Sequence, residues 1–99
     1  MMFIRIVKLS FNPKKVNEFL NLFETHKNTI RNSEGCRLLE LYRDKTNPNV
    51  FFTYSYWEKE QDLENYRKSD FFKGVWSSFK PLFNDKPFAW SVDKLEGLE

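Results

Sequence analysis

Residues 51–58 read FFTYSYWE. Five of these eight residues are aromatic, and there is no Gly or Pro to break the run, a composition that suits a pleated strand. Side chains alternate across a strand. Phe51, Thr53, Ser55 and Trp57 therefore share one face, and Val50, Phe52, Tyr54 and Tyr56 share the other. A small antiparallel sheet usually has one dry face and one wet face. Neither set here is polar, so alternation leaves open which one faces inward, and a second apolar face is left in need of a cover.

The segments on either side supply one cover. Residues 2–11 are rich in Ile, Val and Phe and suit a first strand. Asn12-Pro13 turns the chain, with Pro13 placed at a helix start. Val16, Phe19, Leu20, Phe23, Lys27 and Ile30 then fall at helical spacing, which predicts a helix over 13–31 with one apolar stripe. NSEG ends it at Gly35, residues 36–44 form a second strand, and KTNPN turns the chain into the stretch at 51–58. Beyond Trp57, EKEQDLENYRK predicts a short helix with Leu63 and Tyr66 on one face. Ser69 reads as the N-cap of a further helical segment that carries Phe72, Val75, Trp76, Phe79 and Phe83 and is kinked or ended at Pro81. A turn at Asp85–Pro87 leads to a last strand over 88–93, and residues 95–99 are expected to be a loose tail.

Strand, helix, strand, strand, helix, strand makes two similar halves of about 45 residues each. The fold class is α+β: a ferredoxin-like antiparallel sheet in a single domain over 1–94, with its helices on one face. The helices dry only that face. If the Val50, Phe52, Tyr54 and Tyr56 set faced water, this strand alone would expose roughly 500–700 Å², against about 300–600 Å² for the largest patch on a typical monomer. Leu39 and Leu41, or Leu38 and Tyr42, would add to it according to register. Such an area matches one side of an ordinary interface, about 800 Å² per partner. The expected partner is a second copy of the chain, in a homodimer through the open sheet face.

Composition bounds the rest. The 99 residues include 11 Phe, 4 Tyr and 3 Trp, which can consolidate a small core or line a cavity for a flat ligand. Net charge is +2, and the longest basic cluster, Lys14-Lys15, is too short for a nucleic-acid footprint. Cys36 is the single cysteine, which excludes an internal disulfide and reads as a small buried apolar residue in a reducing compartment. Arg5 and Lys8 interrupt MMFIRIVKLSF, so no signal peptide is read there, and no apolar run is long enough for a bilayer. A cytoplasmic protein without membrane contact is expected.

The three glycines form no phosphate-cradling pattern, and one His with one Cys makes no familiar zinc site. His26 lacks a nucleophile elbow for Ser-His-Asp chemistry, while Glu58 and Glu60 read as solvated surface carboxylates. No cofactor with its own binding motif is indicated.

FFTYSYWEKEQDLENYRKSDFFKGVW, over 51–76, resembles the third strand and second helix of the antibiotic biosynthesis monooxygenase family. IRIVKLSFNPKKVNEFLNLFETHKNTIRNSEGCRLLELYRD, over 4–44, is similar to that family's first half, and the likeness spans roughly residues 3–93. Its most specific elements are Trp57, the helix-opening EKEQDL and the SDFFK cap. The resemblance implies a dimeric α+β barrel. It also implies a cofactor-independent monooxygenase that oxidises a small quinol- or anthrone-like aromatic with molecular oxygen. By this likeness Trp57 matches the family's active-site tryptophan.

A pocket between helices and sheet would suit such a reaction, with Phe23, Thr53, Phe72, Trp76 and Phe79 as substrate-binding candidates. Trp57, His26 and Tyr66 are the catalytic candidates. The Trp57 indole N–H, if buried, needs a partner that a substrate oxygen could supply. His26 is the lone residue of the type that titrates near neutrality, placed between Phe23 and Ile30. The plainer alternatives are core packing for the rings and a helix-edge position for His26. The family's haem-degrading members are similar at Trp57, but carry an Asn and an axial His where this chain has Val7 and Trp76. Valine offers no hydrogen bond and indole does not ligate iron, which argues against haem degradation. An isomerase of a small oxygenated metabolite and a non-catalytic dimeric binding module remain open on the same scaffold.

Overall fold

The aromatic run is realised as a strand, and the chain around it alternates as its spacing requires. The computed structural model describes residues 2–99; Met1, the first residue of the expected domain, lies outside them. In order the elements are β1 (Phe3–Ser10), a 3-10 turn (Pro13–Lys15), α1 (Val16–Arg31), β2 (Cys36–Arg43) and β3 (Val50–Trp57). α2 (Glu60–Lys68), α3 (Asp70–Phe79), a second 3-10 turn (Lys80–Leu82) and β4 (Phe88–Val92) complete the chain. The strands form one antiparallel sheet in the order β2-β3-β1-β4, the ferredoxin-like α+β arrangement.

The boundaries follow from local chemistry. Asn12 Oδ1 accepts from the Lys14 N–H at 3.0 Å and starts the first turn ahead of Pro13. Gly35 sits at φ +83°, a conformation open to glycine, and a Cβ there would meet the Asp62 side chain. Ser69 makes the joint between α2 and α3: its Oγ donates to the Tyr66 carbonyl at 2.6 Å and accepts from the Phe72 N–H at 3.1 Å. Pro81 falls in the turn that ends α3.

Register decides the faces. Ser55 lies opposite Arg5 and Leu39, while Thr53 lies opposite Val7 and Leu41, and these residues face the helices. Tyr54 lies opposite Ile6 and Glu40, and Tyr56 opposite Ile4 and Leu38, on the open side. β4 adds Phe88 and Trp90 to that side, the two rings stacked at 6.2 Å and both exposed. Trp90 keeps 46% of its surface in solvent and Tyr42, beside Phe52, also 46%, so the face that the helices leave bare is largely aromatic.

Val50 departs from the other members of its strand face: it is buried. It lies at the root of the turn after β2, where its N–H donates to the Asn47 carbonyl and its carbonyl accepts from the Asp44 N–H. The tail beyond Val92 has no regular structure and leaves Leu95 and Leu98 exposed.

The layer between sheet and helices holds two buried clusters. The larger joins Leu9, Phe11, Phe19, Phe51, Val75 and Phe79. Phe19 is its hub, with its ring centroid 4.1 Å from Phe11, 5.1 Å from Phe51 and 5.2 Å from Phe79. The smaller joins Phe3, Cys36, Trp57 and Leu63, with Tyr66 against it. Burial pushes the Cys36 thiol pKa up, in keeping with the expected small apolar role.

Candidate active site

A cavity of about 330 Å³ lies between the clusters, at the small end of the range of about 300–1,000 Å³ found for ligand pockets. Its floor is the helix-facing side of the sheet, with Val7 and Arg5 from β1, Leu39 from β2 and Thr53 and Ser55 from β3. Its roof comes from α1, α2 and α3 through Phe23, Leu63, Tyr66, Phe72 and Trp76. Arg67 and Ala89 are exposed members of the wall, so solvent reaches the cavity between α2 and β4.

Four rings form a continuous aromatic wall. Trp57 packs on Tyr66 at 5.2 Å, Tyr66 meets Phe72 edge-on at 5.1 Å, and Phe72 stacks on Trp76 at 5.8 Å and 12°. Helical spacing explains the last pair, since residues four apart share a face, and the Ser69 cap fixes where α3 begins. Phe23 and Phe79 are more deeply buried and belong also to the large cluster.

Seven of the eight residues expected at a site therefore line one cavity: Trp57, Tyr66, Phe23, Thr53, Phe72, Trp76 and Phe79. His26 does not line it. It lies about 60° round α1 from Phe23, and its ring meets Phe71 edge-on at 5.8 Å. The expected free donor on Trp57 also has a partner within the chain. With the side chain only 1% exposed, its Nε1–H donates to Ser55 Oγ at 2.9 Å. Burial, with a smaller contribution from Cys36, pushes the Tyr66 phenol far above its ordinary pKa, so it stays protonated and suits donation better than proton abstraction.

Arg5, Ser55 and Arg67 were not foreseen in the cavity. Arg5 carried a signal: it shares strand parity with Phe3, Val7 and Leu9, so alternation alone places a guanidinium on the inward face of β1. Ser55 is the buried polar residue among the described ones, and the acceptor it offers Trp57 accounts for it.

A ferredoxin-like sheet roofed by helices over an aromatic cavity defines a small α+β domain. The family model for antibiotic biosynthesis monooxygenase matches residues 2–75, and the chain belongs to that family. Among solved structures it is similar to a conserved protein from Methanosarcina mazei Go1, at 27% identity and TM-score 0.87, covering 95% of this chain and 94% of that one. A Caulobacter crescentus CB15 protein described as a candidate antibiotic biosynthesis monooxygenase has 24% identity and TM-score 0.88, covering 96% and 91%. Another antibiotic biosynthesis monooxygenase has 16% identity and TM-score 0.88 over 97% and 100%. The latter two speak for the fold. No curated protein matches by sequence. Among the described residues no helix is long and apolar enough to cross a membrane.

Proposed function

We propose that the protein is a cofactor-independent monooxygenase acting on a small quinol- or anthrone-like aromatic in this cavity. The supporting observation is the open volume beneath Trp57 and Tyr66, walled by stacked rings where a non-catalytic module would have a filled core. Family membership supports the reaction class. The substrate supplies all four electrons. For an anthrone-like substrate, loss of a proton from the ring methylene leaves a carbanion, which passes one electron to molecular oxygen; the radical pair then closes to a peroxide anion. On regaining a proton, the peroxide loses water and leaves a carbonyl. One oxygen atom thus ends in the ring ketone and the other in water, which carries away both methylene hydrogens. The chain's part is to hold the ring flat between Phe72, Trp76 and the sheet, donate hydrogen bonds from Thr53, Ser55 and Tyr66, and exclude bulk water from the peroxide.

The protomers pair through the open sheet face as a homodimer in a cytoplasmic setting, the exposed Tyr42, Phe88 and Trp90 supplying the apolar contact. Oxygen uptake with a panel of quinols and anthrones tests the function. Uptake above the uncatalysed rate that falls about tenfold or more in Trp57→Phe, and is unchanged in His26→Ala, is expected. Uptake at the uncatalysed rate with every compound would refute it.

A further inference from the structure

The charged and hydroxyl groups that line the cavity share one chemical bias: each is suited to donate. Arg5 and Arg67 are the two charged lining residues, and neither Asp, Glu nor His lines the wall. Ser55, Arg5 and Ser91 stand opposite one another in register, in a single row across β3, β1 and β4. Arg5 Nη1 donates to Ser91 Oγ at 3.0 Å, a neutral acceptor. Among the described residues no carboxylate lies within ion-pair distance of Arg5. Arg67, at the exposed rim, has only a long contact to Glu64, at 3.9 Å, and Lys68 shares that carboxylate.

A partly buried guanidinium with no carboxylate in ion-pair range, in a cavity whose other charged lining residue is also an arginine, is an uncompensated charge. Arg5 and Arg67 line the same cavity, and burial, with a smaller contribution from the Arg67 charge, depresses the Arg5 pKa. Ser55 reinforces the bias. Its oxygen already accepts from the Trp57 N–H, which leaves the serine proton to be given to whatever enters the cavity.

We propose that the cavity takes its aromatic ligand as an oxyanion, a fused-ring carboxylate or ionised phenol, with Arg5 as the specificity-determining residue and Ser55 and Arg67 completing the anion site. This rests on the reading of the cavity as an aromatic site and goes beyond it, because a pocket for neutral rings needs no unpaired guanidinium. It also bears on the proton that the reaction must remove: an anthrone-like ligand that binds as its phenolate tautomer has already released its methylene proton to solvent. The planar fork of Arg5 suits two-point contact with a carboxylate, and Arg67 at the mouth draws anions in.

Unreactive probes test the binding directly, by quenching of intrinsic tryptophan fluorescence at neutral pH. 2-Naphthoate is expected to bind about tenfold or more tightly than its neutral counterpart 2-naphthamide, as one charge-assisted contact supplies. Arg5→Met should bring the two within about twofold, and Arg5→Lys should restore part of the difference. Arg67→Gln, at the exposed rim where folding is not at risk, should reduce the preference about threefold. 2,4-Dinitrophenolate replaces naphthoate in a parallel arm, so that a preference confined to one arm names the oxyanion. Equal binding of naphthoate and naphthamide, together with no preference for dinitrophenolate over 2,4-dinitroanisole, overturns the anion site while leaving the aromatic site standing. So does a preference that survives in folded Arg5→Met. Failure of every probe, charged and neutral, overturns the aromatic site and the anion preference together.

Discussion

The layer between sheet and helices is packed at one end and hollow at the other. Where α1 and α3 cross β1 and β3, Phe11, Phe19, Phe51 and Phe79 fill the space ring against ring, and three of the four are no more than 2% exposed. Towards α2 the same layer is lined by Trp57, Tyr66, Phe72 and Trp76, yet encloses about 330 Å³. The aromatic content of the two ends is alike; what differs is how far the rings fill the layer. Phenylalanines from both sides interlock at the packed end. The hollow end sets a wall of rings over a floor of Thr53, Ser55 and Arg5, side chains too short or too polar to fill it. The lesson is that aromatic composition stabilises this fold at one end and leaves room for chemistry at the other.

Substitutions should separate the ends. Phe19→Ala is expected to lose about 3–5 kcal/mol of stability, since the buried hub of the packed end leaves a void that its neighbours cannot close. Phe72→Ala, in the hollow end where space already exists, should lose only about 1–2 kcal/mol while depressing oxygen uptake; urea unfolding and uptake measured side by side check the contrast. On the opposite face of the sheet, where we propose that the protomers pair, Tyr54→Asp with Trp90→Lys should weaken self-association about a hundredfold, read by sedimentation, because charge at the centre of such an interface is costly. Ser55→Ala strands the Trp57 N–H and should destabilise the fold by about 1–2 kcal/mol, with a shift of the tryptophan emission maximum that Thr53→Ala does not give.

The smallest effect is with pH. The folded Tyr66 phenol and Cys36 thiol titrate above their ordinary values of 10.0 and 9.0, in both cases chiefly through burial. The unfolded chain releases these protons first. Their contribution is therefore complete below about pH 9 and is lost as pH rises through the folded values. Unfolding free energy should fall by up to about 1.4 kcal/mol per pH unit for each group above its ordinary value, with a shallower fall in Tyr66→Phe.

Much of the fold was legible because strand alternation and helical spacing carry it. The run at 51–58, the α1 stripe, the Ser69 cap and the Pro81 stop each state their geometry locally. The aromatic lining was legible for the same reason, as Phe72, Trp76 and Phe79 recur at helical spacing and Thr53 and Trp57 share a strand face. The place of His26 was not legible, because a position beside a stripe can turn towards either neighbour, and here its ring meets Phe71 at the start of α3. The donor row was illegible for a different reason: Arg5, Ser55 and Ser91 are distant in sequence, and only cross-strand register aligns them. Val50 shows the same limit, its burial set by a turn rather than by strand parity.

The division into a packed end and a ligand-holding end is tested most directly by titrating the protein with 2-naphthoate and following backbone amide resonances. Shifts concentrated at Arg5, Thr53, Ser55, Trp57, Tyr66 and Phe72, with Phe11, Phe19 and Phe51 unmoved, are the expected result. Shifts centred instead on the bare sheet face at Tyr42, Tyr54 and Trp90, with the cavity residues silent, would contradict it.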